Sequence, residues 1–382
     1  MSDISTAFLS EQEVMIRDSA RKVAAEVVAP TAAERDRTSA WPHKEIEAVG
    51  ELGFLGMLTP EAYGGSGASF VEYCLAIEEF AAADAGFATL MHVHNSVGFM
   101  ISRAGTEAQK REYLSKLASG EHIGAFLLSE PHAGSDTAAL RTTAHRDGDH
   151  YVVNGSKQFI SNGSEASVGL VLAVTDKPSG KNGSSVLIVN AKDPGYKVTR
   201  VEHKLGQRSA HVAQIQLDEC RIPAENILGE EGSGYKRILA SLSEGRVAIA
   251  AVAIGAARAA LDAAVRYAKE REAYGAPIFK LQAVSFDLAD MATKVDVAQQ
   301  YMVYAARLCE ACLPCAKEAS MAKLFASEMA EKVCSDALQI HGGYGYVTDF
   351  PVERYYRDAR VTKIYEGTSH IQKLIIGRSL VD

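Results

Sequence analysis

The stretch Lys363-Ile364-Tyr365-Glu366-Gly367-Thr368-Ser369 has residue types suited to proton chemistry. Its carboxylate stands between apolar or aromatic residues and a glycine. A glutamate held against apolar groups has its charged form disfavoured, so its pKa rises towards working pH and it becomes a useful general base. Gly367 lets another molecule approach the backbone closely. The segment from His370 to Leu380 then reads as a short helix, with Thr368 or Ser369 as its N-cap, accepting a bond from a first-turn amide. Taken alone, the heptapeptide also suits a C-terminal loop with a solvated Glu, because capping signals are common.

Two other stretches offer polar groups to a ligand. Phe126-Leu-Leu-Ser129-Glu130-Pro131-His132-Ala133-Gly134-Ser135-Asp136 reads as a strand ending in a hydroxyl, then Pro, then Gly-Ser-Asp. Its free amides and hydroxyls suit a polar ring or a phosphate. Lys157-Gln158-Phe159-Ile160-Ser161-Asn162-Gly163 repeats the pattern with an aromatic next to a hydroxyl. Either one also suits a plain turn, which needs the same residue types. Cys309, Cys312 and Cys315 follow a Cys-x-x-Cys-x-x-Cys spacing. A zinc or iron–sulfur site would want a fourth ligand at matched spacing. The nearest, Cys334, lies far along a separate helical stretch, so no metal is expected. His92 and His94 face different sides of a helix and are not read as a metal pair.

These residues must be positioned by 382 residues, more than one ordinary core holds, so two or three domains are expected. Hydrophobic content of 47% and charged content of 23% fit a globular chain. The net charge of −8, without a long basic block, argues against nucleic-acid or anionic-membrane partners. It would also repel a polyanionic cofactor at long range, so local amides and a few placed Arg residues must hold one. Six cysteines and an N-terminus (Met1-Ser-Asp-Ile-Ser5) without signal or transit character suggest a reducing compartment, the cytoplasm. No run of about 18 apolar residues predicts a membrane span.

The pattern divides the chain into an N-terminal helical region (1–122), a central β region (123–231) and a C-terminal helical bundle (232–382). Capping boxes at Ser10-x-x-Glu13, Ser69-x-x-Glu72 and Thr106-x-x-Gln109 open helices, and Trp41-Pro42 fits another start. Apolar runs at 123–128, 151–153, 158–160, 168–174, 185–189 and 212–217 read as strands of a small barrel or sandwich. Asn154-Gly155 predicts a hairpin turn, and Asp147-Gly148 a second turn. Long helices are predicted over 234–271, 279–313 and 315–340. Gly245 and Gly255 lie inside the first of these and imply close packing, because glycine costs about 1 kcal/mol there relative to Ala. Gly342-Gly343-Tyr344-Gly345 follows a helix, not a strand, so it is not a Rossmann fingerprint.

Together these segments resemble the acyl-CoA dehydrogenase family over nearly the whole chain. Further matches are Lys204-Leu205-Gly206-Gln207-Arg208, Arg271 through Gln282, Gln339 through Tyr346, and Arg354 through Thr368. The resemblance implies an α+β multidomain fold: a helical domain, a central β-barrel or sandwich domain, and a four-helix bundle. It also implies FAD and a homotetramer. Phe126, Leu128, Ser129, Phe159 and Ser161 match flavin-contacting positions, and Thr368 and His370 match a cofactor loop of the same subunit. Arg271, Tyr274, Gln282, Gln339, Gly342 and Gly343 match positions that reach a neighbouring subunit's FAD. An Arg can pair with a pyrophosphate through its rigid fork, and glycines let amides approach.

The resemblance also implies a reaction. Glu366 would take the α proton of a short straight or branched acyl-CoA while a hydride leaves the β carbon for flavin N5, giving the trans-2-enoyl-CoA. The thioester oxygen needs donors where charge develops; the Glu366 backbone N–H and a ribityl hydroxyl would supply them. Ser135, Ser243, Arg246 and Gly367 match substrate-contacting positions, Arg246 at the CoA end. Electrons would pass to an electron-transfer flavoprotein, in fatty acid or amino acid catabolism. Some members place the base just before the residue matching Arg246. Here that position is Gly245, and Glu244 is about 100° away around the helix. Glutaryl-CoA dehydrogenases carry an Arg where Ala88 stands, so a dicarboxyl substrate is disfavoured. Ala210-His211-Val212 departs from the small or hydroxyl residues usual after the Lys-Leu-Gly motif. The alternatives are a flavin oxidase or monooxygenase on the same scaffold and a non-catalytic flavin- or CoA-binding assembly protein.

Overall fold

The protein is described by a computed structural model over residues 8–176, 179–180 and 183–381, so the reading of Met1–Ser5 lies outside the described residues. Helix starts follow local side-chain chemistry. The Ser10 hydroxyl accepts from the Glu13 amide and the Glu13 carboxylate accepts from the Ser10 amide, which opens α1 (Glu11–Val23). Past a π-helical turn come α2 (Ala32–Thr38) and α3 (His43–Glu51), the latter just after Trp41-Pro42. Reciprocal boxes at Ser69/Glu72 and Thr106/Gln109 open α4 (Phe70–Ala83) and α6 (Glu107–Ser119). Between them α5 (Ala85–Ala104) is capped by Asp84, which accepts from the Gly86 and Phe87 amides.

The strands β1 (Gly124–Leu127), β2 (Thr143–Asp147), β3 (His150–Ser161), β4 (Val168–Val174), β5 (Ser184–Asn190), β6 (Tyr196–Val201) and β7 (Val212–Pro223) form one seven-stranded sheet. Its order is β1-β4-β2-β3-β7-β6, with β5 paired to β4. Asn154-Gly155 is not a hairpin turn. β3 runs straight through it, and its register with β7 shifts between Val153 and Gly155, a bulge. The Asn154 side chain instead exchanges hydrogen bonds with Glu219 at 2.7 and 2.9 Å. A Cβ on Gly155 would come within 2.4 Å of Thr142 Oγ1, so glycine answers a close approach. The actual β2–β3 turn is at Asp147-Gly148, with Gly148 at φ 62°. One face of the sheet encloses Leu127, Val153, Val171 and Leu217, while the other packs Leu170, Leu172 and Ile188 on Val97 and Ile101 of α5 and Leu114 of α6.

The remaining elements are α7 (Gly234–Glu270), the short hairpin β8 (Glu272–Ala273) and β9 (Ala276–Pro277), α8 (Gln282–Glu310), α9 (Ala316–His341), α10 (Val352–Ala359) and α11 (Ser369–Ser379). α8 is shorter than predicted at both ends. A 3-10 turn holds Ile278–Lys280, and the helix ends at Glu310, ahead of Pro314. α7 has the length and apolarity of a membrane span, but 72% of its most apolar window is buried inside the protein. It is the central core helix, packed on α4, α8 and α9. A Cβ on Gly255 would meet the Glu78 carbonyl oxygen at 2.2 Å, which explains a glycine where helix propensity disfavours one.

Candidate active site

After α10 a 3-10 turn (Arg360–Lys363) leads the chain into a reversal at Glu366 and Gly367. Both are left-handed, at φ 50° and 87°. Glycine adopts this freely, whereas a non-glycine residue held in such a region costs on the order of 1–3 kcal/mol and persists where its surroundings dictate it. Those surroundings are specific. Lys323 Nζ donates to the Gly367 carbonyl at 2.7 Å. Gln372 Nε2 donates to the carbonyls of Gly367 and Glu366 at 2.8 and 3.1 Å. Thr368 is the α11 N-cap, its hydroxyl accepting from the Ile371 amide at 3.3 Å. The Tyr365 hydroxyl meets Thr89 Oγ1 at 3.1 Å and accepts from Gln207 Nε2 at 3.3 Å, tying the turn to α5 and to the loop before β7.

The Glu366 carboxylate lies against α7. A Cβ on Gly245 would stand 2.8 Å from its Oε2, so the space for the carboxylate exists because residue 245 is glycine. Glu366 keeps some solvent contact, yet the protein packed around it disfavours charge and raises its pKa, while Arg246 and Lys323 pull it back. Glu244 turns away and pairs with Arg103 at 2.9 Å. Arg246 is not a surface residue. It is buried, its Nε has no hydrogen-bond partner among the described residues, and burial pushes its pKa down. An unpartnered buried guanidinium N–H is a donor available to a ligand. Ser243, half-buried on α7, is three residues from Arg246 and on an adjacent part of the helix surface. Ser135 is exposed in the loop after β1.

A second patch forms where β1 and β3 end. The Gln158 amide donates to the Ser129 carbonyl at 2.8 Å, and buried Lys157 donates to the Leu128 carbonyl at 3.2 Å and pairs with Glu130 at 2.9 Å. This brings Leu128 and Ser129 beside Phe159 and fixes Glu130 as a structural ion-pair partner. Phe159 is left-handed at φ 59° and its residue is 67% exposed, an aromatic held outward at a backbone cost. Ser161 is followed by Asn162, which is also left-handed and buried and donates to the Leu90 and Gly124 carbonyls at 3.0 and 3.1 Å. Phe126 is half-buried on β1.

Arg271, Gly342 and Gly343 instead line a separate cleft of about 610 Å³, together with Tyr267, His341 and Tyr344. Glu366 is not among its walls. Gly342 is at φ 59°, nothing lies within 4 Å of either glycine's missing Cβ, and the Arg271 guanidinium is 5.9 Å from the Tyr344 ring centre. Tyr274, 96% exposed at φ 55°, and exposed Gln282, Gln339 and His370 are outside its walls.

Other sequence features resolve as local structure. His92 Nδ1 meets the Tyr73 hydroxyl at 3.0 Å, whereas His94 bridges the Leu117 carbonyl and the Gly124 amide, so the two histidines have separate partners. Burial lowers both to about 4. His211 links Glu165 and the Ser39 carbonyl at 2.9 and 3.0 Å and packs on Trp41, which accounts for its departure from the usual small residue. Cys309, in the last turn of α8, touches Cys315, just before α9, at 3.3 Å, and Cys334 is buried on α9 against the Ala256 carbonyl. Sequence reasoning did not single out Lys323, Gln372 or Thr89. For Lys323 a signal existed: Ala319, Lys323, Ala326 and Ala330 recur at helical spacing, which puts the lysine on a buried stripe.

Three family models match in order: the acyl-CoA dehydrogenase N-terminal domain over residues 10–121, the middle domain over 125–220 and the C-terminal domain over 232–381. An acyl-CoA dehydrogenase of Bacillus subtilis (strain 168) is 46% identical over 98% of this chain and 99% of its own. The mitochondrial short-chain specific acyl-CoA dehydrogenase of Mus musculus is 44% identical over 98% and 91%. Among solved structures, butyryl-CoA dehydrogenase from Megasphaera elsdenii superposes with a TM-score of 0.95 at 38% identity, over 98% of this chain and 99% of that one. A chain from a study of the electron transferring flavoprotein of Acidaminococcus fermentans and flavin-based electron bifurcation gives 0.96 at 44%, covering 98% of both.

The chain belongs to the acyl-CoA dehydrogenase family. It is an oxidoreductase whose cofactor is FAD. The residues present fit that cofactor. An outward-held aromatic beside two serine segments suits a planar polar ring, and the open Gly342-Gly343 cradle beside Arg271 suits a diphosphate.

Proposed function

We propose that this protein oxidises a short straight or branched acyl-CoA to the trans-2-enoyl-CoA, with Glu366 as the base that takes the α proton. The observation that carries the assignment is the Glu366–Gly367 turn, with the carboxylate filling the space Gly245 leaves and its pKa raised by burial. A raised pKa suits a base that must take a weakly acidic C–H proton and later release it. Bound FAD supplies the two-electron acceptor. Phe126, Leu128, Ser129, Phe159, Ser161, Thr368 and His370 would hold its ring side. The Glu366 amide would face the thioester oxygen, with Gly367 allowing close approach. Arg246, with its unpartnered Nε, would meet the CoA end, and Ser243 and Ser135 would contact the substrate. Bound substrate would exclude the water Glu366 now meets and raise its pKa further.

The short-chain and butyryl-CoA relatives support the chain-length class, and the neighbour from a study of an electron transferring flavoprotein supports such a partner as electron acceptor. A homotetramer, in which Arg271, Tyr274, Gln282, Gln339, Gly342 and Gly343 reach a neighbouring subunit's FAD, is supported by Arg271, Gly342 and Gly343 lining a cleft whose walls do not include Glu366. The exposure of Tyr274 (96%) and Phe286 (66%) points the same way. The domains are proposed at 1–122, 123–231 and 232–382. The test is anaerobic mixing with a panel of acyl-CoAs while following the flavin absorbance. Bleaching with C4–C6 straight or branched thioesters is expected; a flavin that no acyl-CoA bleaches would exclude a dehydrogenase. Steady peroxide formation without another acceptor would replace the dehydrogenase reading with an oxidase.

A further inference from the structure

Glu366 is faced by Arg246 from α7, Lys323 from α9 and Tyr73 from α4, with Tyr365 beside it in the chain. Taking Glu366 as the base, we propose that Lys323 is its positioning residue. The ammonium pins the Gly367 carbonyl, fixes the left-handed Glu366–Gly367 turn and keeps a positive charge behind the carboxylate.

The geometry separates Lys323 from an ordinary packing residue. Its side chain is fully buried. Its Nζ has the Gly367 carbonyl at 2.7 Å, and among the described residues no carboxylate forms an ion pair with it. Taking an ammonium out of water without a paired carboxylate costs several kcal/mol, so a lysine is not explained by filling a core position that Leu or Met would fill. Burial lowers Lys323 to about 8, and the Glu366 charge is what works against that fall. The influence is mutual: Lys323 draws Glu366 down from the value that burial alone would impose. The turn therefore gains a donor for one backbone carbonyl and a charge that keeps the base ionised at lower pH than Arg246 alone would allow.

The sign of the effect follows. Removing the Lys323 charge leaves burial opposed only by Arg246, so Glu366 keeps its proton to higher pH. The acid limb of kcat/KM, where the base becomes protonated, moves up. The experiment compares FAD-loaded wild type, Lys323→Met, Lys323→Gln and Lys323→Arg, using an acyl-CoA that bleaches the wild-type flavin, with thermal melting alongside. In Lys323→Met the acid limb is expected about one pH unit higher, roughly a tenfold loss of kcat/KM on that limb. Lys323→Gln, which keeps a donor without the charge, should show the same shift. Lys323→Arg should restore the limb, because arginine stays charged.

An unmoved limb in folded Lys323→Met overturns the proposal. Should that variant fail to fold, an unmoved limb in Lys323→Gln does so. Infrared titration of the Glu366 carboxyl band, assigned by its loss in Glu366→Gln, reads the same shift without turnover. A wild type that no acyl-CoA bleaches would thus sink the catalytic reading, while the infrared shift still decides the role of Lys323.

Discussion

Lys157 in the sheet and Lys323 in the bundle are both fully buried, and burial lowers both to about 8. Their partners differ. Lys157 meets Glu130 at 2.9 Å and the carbonyls of Leu128 and Leu172 at 3.2 and 2.8 Å. Glu130 in turn accepts from the Arg141 and Thr142 amides at 2.7 and 3.0 Å. Burial pushes Glu130 up, but the Lys157 charge and these bonds outweigh it and hold the carboxylate below its usual range. That ion pair is closed: the two charges meet directly, and with the carbonyl bonds of Lys157 they tie the end of β1 to β3 and β4. Lys323 has only the Gly367 carbonyl as a hydrogen-bond partner among the described residues, and its charge is left to act on Glu366, the carboxylate proposed as the base. A paired buried charge organises structure, whereas one left open is a resource for chemistry.

The largest effect should come from the carboxylate the open charge serves. Glu366→Gln is expected to lose about 10²–10⁴-fold in turnover while keeping FAD and acyl-CoA binding. Stopped-flow reduction checks the first and equilibrium titration the second; near-normal reduction would refute the base assignment. Breaking the closed pair should act on stability instead. Lys157→Met strands a buried carboxylate and is expected to cost about 3–5 kcal/mol, read from the denaturant midpoint. The acid limb of turnover should stay in place. Because the folded Glu130 pKa is depressed, its contribution is present above its unfolded value of about 4.3 and is lost as pH falls through the folded one. The gap between variant and wild type should therefore narrow in acid. A Lys157→Met protein that kept its stability but shifted its pH profile would erase the distinction between the two lysines.

The smallest predicted effect tests the α7 wall against which the Glu366 carboxylate lies. Gly245→Ala places a methyl 2.8 Å from Glu366 Oε2, against the far end of a flexible side chain. Alanine favours the helix by about 1 kcal/mol, so melting should not fall. Displacing the carboxylate by a few tenths of an ångström should lower kcat about tenfold. Unchanged kcat would mean that the Gly245 space is not needed by the reacting carboxylate.

Much of the frame was legible because it is written in short-range chemistry. Ser10, Ser69 and Thr106 open their helices by bonds to residues three positions on. Asp147-Gly148 turns because Gly148 takes a positive φ. Asn154-Gly155 carries an equally strong local signal and fails. The bulge against β7 and the approach of Thr142 are contacts with distant residues that no dipeptide encodes. The site divides in the same way. Glu366, Gly367 and the Thr368 cap lie together in the chain and were readable there. Arg246 stood out as a candidate, but its burial did not. Lys323 was visible only as a lysine on an alanine stripe.

By itself the sequence determined the order of helical, sheet and helical regions, the helix caps, and a glutamate between an aromatic and a glycine. These depend on hydrogen bonds and periodicities within a few residues. Only the tertiary structure decided that Glu366 sits left-handed in the space of Gly245, that Glu244 is turned to Arg103, and that Lys323 stands behind the turn. It also decided that Arg271 and the Gly342-Gly343 cradle lie in a cleft whose walls do not include Glu366. Proton affinity depends on burial and on charges brought in from α7 and α9, and those distances exist only once the helices have packed.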